Sequence, residues 1–301
     1  MYRVYLQEPI HPAAEAYLRA HVQLLTREAD LPLADAVLTR NLRIDAAFLE
    51  QAKNLKVIAI HGTGRDGVDE EAAQARGVEV FSTPGRNAQA VAELIAAMAL
   101  MLSRRLPQAA ACLGESAPAA LLGQELRGKC AGFLGTGQIA RRAAEIFCGG
   151  FGMRAIGYSP SYTRKKAAQC RIGFAPGVEA VLREADYVCM CLPLNGETRG
   201  MLGKQELGWM KRSAYLINCA RGGLVDEQAL AEALRRGRLA GAAADVFAEE
   251  PVSPENPLLQ LPNFLATPHI GGNTEQALYA VGMAAAEGIV QRLTRREEGR
   301  N

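Results

Sequence analysis

Charge of one sign is missing from this chain: 34 Lys and Arg stand against 32 Asp and Glu, a formal net charge of +2 over 301 residues. That balance excludes the broad basic footprint of a nucleic-acid binder. Arg141-Arg142 and Arg235-Arg236 read as solvated helix faces. A long apolar run is missing as well. The most apolar helix candidate, residues 88–102, is interrupted by Gln89 and Glu93 and is too short to span a bilayer, so no membrane partner is expected. The opening Met1-Tyr2-Arg3-Val4-Tyr5-Leu6-Gln7-Glu8-Pro9 lacks the apolar core of a leader and reads as a first strand, which leads to a cytoplasmic expectation. The seven cysteines (112, 130, 148, 170, 189, 191, 219) form no C-x-x-C pair, and their odd number points to reduced thiols. Cys189 and Cys191 alternate along one strand and share a face as small apolar residues. The four histidines (11, 21, 61, 269) lack metal-ligand spacing, so no metal is expected.

What is present suits a two-domain globular protein: 49% hydrophobic and 22% charged residues in a chain long for one core. In the first 86 residues, apolar runs at 3–7, 22–26, 36–39, 57–61 and 78–82 alternate with helical patterns at 12–20, 45–51 and 68–75. Such alternation favours a parallel sheet with helices on both faces. A long apolar-rich helix over 88–104 leads, through a mixed loop at 107–123, into a second α/β block. Its strands are expected at 154–158, 187–192, 215–218, 242–246 and 264–266. A last helix is expected from 274 to about 292, with a disordered polar tail from Arg295.

Two kinds of motif carry chemistry. Gly132-Phe133-Leu134-Gly135-Thr136-Gly137-Gln138-Ile139-Ala140 reads as a strand, a glycine turn and a helix start of the form G-x-G-x-x-A. Glycines there let backbone approach a pyrophosphate, and the helix N-terminus offers it N–H groups. A bare strand-to-helix turn is the simpler reading of the motif alone; the second strand at 154–158 completes a βαβ unit and favours the dinucleotide site. Further on, Ile217-Asn218-Cys219-Ala220-Arg221-Gly222-Gly223, Asp245-Val246-Phe247-Ala248-Glu249-Glu250-Pro251 and Thr267-Pro268-His269-Ile270-Gly271-Gly272 each set one ionisable residue at the edge of an apolar run. A fixed cation, a carboxylate and an imidazole are the set needed to hold a carboxylate and move a proton to an adjacent carbonyl. A lone histidine after a strand is more often a surface or capping residue; a carboxylate partner makes His269 an acid–base candidate. Arg221 could instead neutralise a cofactor phosphate.

The glycine turn, INCARGGLVDE, DVFAEEP and TPHIGG resemble, in order and spacing, the NAD(P)-dependent D-isomer-specific 2-hydroxyacid dehydrogenases. Arg221 precedes Glu250 by 250 − 221 = 29 residues and Glu250 precedes His269 by 269 − 250 = 19, as in that family. His61-Gly62-Thr63-Gly64-Arg65-Asp66-Gly67-Val68-Asp69 and Ser82-Thr83-Pro84-Gly85-Arg86-Asn87 extend the likeness over nearly the whole chain. The resemblance implies two doubly wound parallel-sheet α/β domains around an interdomain cleft. A flavodoxin-like substrate domain would comprise 1–86 plus 272–301, and a Rossmann cofactor domain 87–271. It implies Arg221, Glu250 and His269 as catalytic residues, and Gly62, Thr63 and Gly64 with Arg221 as substrate binders. Cofactor contacts would come from Gly135, Thr136, Gly137, Gln138, Ile139, Ser159, Arg164, Pro193, Cys219, Ala220 and Asp245. Its substrate would be a small 2-oxo or 2-hydroxy acid, and its assembly a homodimer around the 88–104 helix, for which packing within one chain is the alternative.

One residue departs from the family pattern. NAD-preferring members carry an acid at the end of the second strand, where this chain has Ser159, followed by Ser161, Arg164, Lys165 and Lys166. Losing the carboxylate removes repulsion of a 2′-phosphate, and hydroxyls and cations nearby can bind one, so NADP is favoured over NAD. The formate-oxidising relatives have glutamine where Glu250 stands. Phosphonate oxidation would use a similar trio. A nucleotide-sensing corepressor of this family would keep the same residues, but the short stretch after the last helix offers no long recruitment tail. The stretch 114–126 lacks an aromatic residue frequent in relatives.

Overall fold

Every strand pairing in the computed structural model, which describes residues 1–113 and 121–298, is parallel. The chain divides into two compact units, Met1–Asn87 with Gly272–Asn301, and Ala88–Gly271.

The first unit holds β1 (Arg3–Leu6), α1 (Pro12–His21), β2 (Gln23–Leu25), a 3-10 turn (Glu28–Leu33), β3 (Ala36–Thr39), α2 (Ala46–Gln51), β4 (Val57–Ile60), α3 (Glu70–Ala75) and β5 (Glu79–Ser82). The strand order is β2-β1-β3-β4-β5, a doubly wound arrangement. Strand period sorts the core. Val4, Leu6, Ala36, Leu38, Val57 and Ala59 face α1 and the terminal helix (Glu275–Glu298), whereas Tyr5, Val37, Ile58 and Ile60 face α2 and α3. Asp45 and Asp69 sit just outside α2 and α3, each accepting an N–H from the first turn, so they are caps and not helical residues. The terminal helix runs on to Glu298, past the expected end near 292. No disordered tail begins at Arg295, because Arg292 Nε donates to Glu79 Oε1 at 2.7 Å and Arg296 reaches Gly77 O at 3.4 Å.

The second unit holds α4 (Ala88–Arg104), α5 (Leu106–Ala111), β6 (Cys130–Leu134), α6 (Gln138–Phe151), β7 (Arg154–Tyr158), α7 (Arg164–Ala167), β8 (Gly173–Phe174), α8 (Val178–Glu184), β9 (Tyr187–Met190), α9 (Lys204–Trp209), β10 (Tyr215–Asn218), a 3-10 turn (Gly222–Leu224), α10 (Glu227–Arg235), β11 (Gly241–Ala244) and β12 (Phe264–Ala266). Its seven strands are ordered β12-β11-β10-β9-β6-β7-β8. The order reverses between β6 and β9, which puts the glycine turn after β6 at the switch point where open α/β sheets bind ligands. The loop expected at 107–123 contains α5, started by Pro107 at its second position; residues 114–120 of that loop, and with them part of the stretch without an aromatic, lie outside the described residues.

In α4, Val91, Ala92, Ile95, Ala96, Met98 and Ala99 pack in the core with α6 and the sheet, while Leu94, Leu100, Met101 and Leu102 stay partly exposed and Gln89, Glu93, Ala97 and Arg104 are exposed. Among the described residues no helix is long and apolar enough to cross a membrane, and no group of three acid, histidine or cysteine side chains could hold a metal.

Candidate active site

Because the strands of the second sheet all run one way, the residues that follow them gather at one edge. Gly135 follows β6, Ser159 β7, Pro193 β9, the Cys219-Ala220-Arg221 run β10, Asp245 β11 and His269 β12. The spacing in sequence thus becomes proximity through topology.

His269 Nδ1 lies 2.7 Å from Glu250 Oε2, with both side chains a little over one-third exposed. Glu250 Oε1 accepts the Phe247 N–H at 3.0 Å, so the carboxylate is anchored at one oxygen while the other meets the ring. Partial burial by itself raises the Glu250 carboxyl, but the His269 hydrogen bond, the Phe247 amide and the charges of His269 and Arg221 outweigh it and hold the group below its usual range. The carboxylate therefore stays ionised at neutral pH and fixes one ring nitrogen, leaving Nε2 as the atom that can exchange a proton with a ligand.

The loop that carries His269 is held from below. Asp245, almost fully buried, accepts Thr267 Oγ1–H at 2.6 Å and Ile270 N–H at 2.8 Å on Oδ1, and Gly271 N–H at 2.7 Å on Oδ2. Its carbonyl takes the His269 N–H at 2.8 Å. These bonds stabilise His269 at φ 53°, a left-handed conformation uncommon for a residue with a Cβ. The Asp245 carboxylate thus organises the histidine loop from within the unit.

Asn218 was given no role from the sequence. Its Oδ1 accepts the Ala220 N–H at 3.1 Å and its Nδ2 donates to Arg221 O at 2.9 Å, a local side-chain turn that shapes the backbone at Arg221. An Asn at the end of a strand before a short polar loop is the signal that could have found it. Arg221 Nη1 donates to Ala220 O at 2.8 Å, and its charge acts on Glu250. A Cβ on Gly222 would collide with the Phe247 carbonyl and the Ala248 amide, so glycine lets the Arg221 and Glu250 loops pack back to back. The Cys219 thiol is not presented at the sheet edge: it packs 3.6 Å from Met98 Sδ, and burial pushes it well above its ordinary value.

The glycine turn has room only where backbone must pass. Gly135 has φ 101°, and a Cβ there would strike the Cys191 carbonyl; Gly137, the N-cap of α6, opens on free space and leaves the helix start without a side-chain cap. That arrangement, with Gln138 and Ile139 in the first turn, fits a pyrophosphate. Thr136 Oγ1 and Ser159 Oγ are 2.9 Å apart, tying the glycine turn to the end of β7, and Arg141 Nε donates to Thr136 O at 3.3 Å. Arg164 lies 5.0 Å over the Phe174 ring, and Lys166 Nζ donates to Ser161 O at 2.7 Å. Pro193 O accepts the Thr198 hydroxyl at 2.7 Å.

In the first unit, Gly62 has φ 154°, and its amide is engaged by Ile60 O at 2.9 Å and Thr83 Oγ1 at 3.1 Å. Thr63 Oγ1 lies 3.4 Å from Asn87 Oδ1. The Gly62 N–H is thus engaged by its own unit.

Comparison with known proteins agrees with this geometry. The family model described as D-isomer specific 2-hydroxyacid dehydrogenase, NAD binding domain, matches residues 96–271. A D-3-phosphoglycerate dehydrogenase of Archaeoglobus fulgidus is 37% identical over 300 residues, covering 96% of this chain and 56% of the relative. A hydroxypyruvate reductase of Thermotoga maritima is 33% identical over 306 residues, covering 97% and 98%. A solved structure of an acyclic imino acid reductase in complex with NADPH and D-Arg superimposes with a TM-score of 0.87 at 25% identity, covering 98% of each chain. The chain spans little more than half the length of the phosphoglycerate dehydrogenases it matches. With the family model matching over half of the chain and the relatives aligned along nearly all of it, the chain belongs to the D-isomer specific 2-hydroxyacid dehydrogenase family.

Proposed function

We propose that this chain is an oxidoreductase that moves a hydride between a nicotinamide dinucleotide and a small 2-oxo or 2-hydroxy acid of the D series. The observation that carries the reading is the Glu250–His269 pair at 2.7 Å, in the field of Arg221, on the same sheet edge as the glycine turn. The dinucleotide, when bound, supplies or takes the hydride at its nicotinamide ring. In reduction, His269 Nε2 donates a proton to the carbonyl oxygen; in oxidation it takes the hydroxyl proton. Glu250 stabilises the protonated ring throughout. Arg221 offers a planar fork to the substrate carboxylate and polarises the adjacent carbonyl. In the first unit we assign the backbone of Gly62-Thr63-Gly64 to the substrate, with the amides of Thr63 and Gly64 as the donors. Gly135, Thr136, Gly137, Gln138 and Ile139 are assigned to the pyrophosphate, and Pro193 and the backbone of Cys219 and Ala220 to the rest of the dinucleotide.

The finer reading is that NADP is preferred. Its support is Ser159 in place of an acid, with Arg164, Lys165 and Lys166 on the segment that follows. A homodimer around α4 is part of the same proposal and rests on the family resemblance, with Leu94, Leu100, Met101 and Leu102 of that helix left partly exposed. The cytoplasmic setting is proposed with it, supported by seven free cysteines. The test is a panel of 2-oxo acids, glyoxylate and hydroxypyruvate among them, assayed with NADPH and NADH. The expected result is turnover with a higher kcat/KM for NADPH, reversed in Ser159→Asp. No turnover of any acid would refute the activity, and equal efficiencies unchanged by Ser159→Asp would refute the cofactor preference.

A further inference from the structure

The segment that carries Glu250 has no regular structure of its own between Ala248 and Asn256, yet both of its ends meet one side chain. Glu227 Oε1 accepts the Ala248 N–H at 2.6 Å, and Glu227 Oε2 accepts an Asn256 Nδ2–H at 2.6 Å. Glu227 opens α10, but the helix does not need it as a cap, because Asp226 already accepts the Ala229 N–H at 3.0 Å. The carboxylate is therefore available to the neighbouring loop. The amide of Asn256 cannot turn round to compensate for its loss, since Asn256 Oδ1 accepts the Leu258 N–H at 3.0 Å and leaves only Nδ2 for Glu227.

We propose that Glu227 is the positioning residue of the Glu250–His269 pair, closing the 248–256 segment into a braced loop so that Glu250 meets the ring. The inference rests on the dehydrogenase reading above. The geometry behind it is one carboxylate holding two points 256 − 248 = 8 residues apart, with Glu250 between them. Charge-assisted bonds of this length are the strong class; the one to Asn256 is part-buried and the one to Ala248 is exposed, and removing their common acceptor takes the brace from both donors. The freed loop lets Glu250 leave its place, and the ring loses the carboxylate that fixes its tautomer.

The experiment compares wild type with Glu227→Ala, Glu227→Gln and Asn256→Ala, each alone and in a Glu250→Gln background. Glu227→Ala is expected to lower kcat about tenfold, equivalent to about 1.4 kcal/mol and within the range of residues sharing one hydrogen-bond network. The KM values for acid and cofactor should change less than kcat, because Glu227 is assigned to neither ligand. In the Glu250→Gln background the same substitution should cost nothing further, since the group it positions is already gone. Losses that multiply in the double variant, or an unchanged kcat in Glu227→Ala, would overturn the proposal. Glu227→Gln keeps an acceptor for Ala248 but sets an amide donor against Asn256, so it should fall between the two and serves if the alanine variant does not fold. Amide hydrogen exchange reads the brace without turnover: exchange over 247–256 should quicken in Glu227→Ala while β10 and β11 stay protected. Unchanged exchange there would overturn the brace. If wild type turns over no acid, the dehydrogenase reading has failed, and the exchange measurement still decides whether Glu227 orders this loop.

Discussion

Two histidines stand just past parallel strands, one in each unit, and they have opposite fates. His61 directly follows β4; it is 6% exposed, its Nε2 has no hydrogen-bond partner, and burial, reinforced by the charge of Arg40, pushes it down to about 4. His269 follows β12 by a short loop, is partly exposed, and has Glu250 on Nδ1 at 2.7 Å. The difference is not the residue type, nor its place at a strand end. It lies in what the neighbouring segments supply. The terminal helix packs over His61, with the Leu278 backbone and Gly282 as its neighbours, whereas two loops deliver a carboxylate and a buried clamp to His269. A histidine kept neutral and enclosed serves packing; one paired with a carboxylate and open on its other nitrogen can carry a proton.

The largest expected effect separates the two directly. His269→Ala should lower kcat for reduction of a 2-oxo acid by about 10²–10⁴-fold, the usual worth of general acid–base assistance, with cofactor binding retained in fluorescence titration. His61→Phe should leave kcat within about twofold, far below that range. Similar losses in both variants would erase the distinction.

Next in size is the partner. Glu250→Gln should cost roughly 10-fold or more in kcat, at the low end of acid–base effects, measured as steady-state reduction of a 2-oxo acid with cofactor binding retained. The amide keeps the size of the side chain and removes the charge that meets the ring at 2.7 Å. An unchanged kcat would mean that the carboxylate does not act on the ring.

The smallest effect concerns stability and belongs to His61. Its folded value of about 4 lies below the unfolded one near 6.5. As pH falls through 6.5 the unfolded chain takes up a proton that the folded chain refuses, so stability declines until about pH 4, by at most about 1.4 kcal/mol per pH unit. Urea unfolding at pH 7 and pH 4.5 should show this slope in wild type and a shallower one in His61→Phe. Equal slopes would mean that His61 is hydrated and not enclosed.

Much of this was readable from the chain. Short apolar runs gave the strands of the first unit to within a residue or two, and the 88–104 helix and the strands at 154–158, 215–218 and 264–266 match the structure. The glycine turn was legible because Gly135 and Gly137 answer a backbone requirement that acts within a few residues. The short pieces α5, α7 and β8, too brief to display a period, were missed, and so were α8, α9 and α10 between the strands. The end of the terminal helix was missed for another reason: its polar last turns are held by Glu79 and Gly77 of the same unit, partners more than 200 residues away in sequence. Asp245 was visible as a charged residue after a strand, but the direction of its side chain was not.

The sequence by itself determined the parallel α/β class, the two blocks and the identity of the cation, carboxylate and imidazole, since those follow from local period, glycine placement and residue chemistry. Only the tertiary structure decided what the other acids near Glu250 do. Asp245, Glu227 and Glu250 are chemically alike and all lie near strand or loop ends. One is buried beneath the histidine loop, one bridges Ala248 and Asn256, and one reaches His269. A carboxylate's task is set by the donors that converge on it, and here those donors come from segments that the parallel sheet brings to one edge from distant parts of the chain.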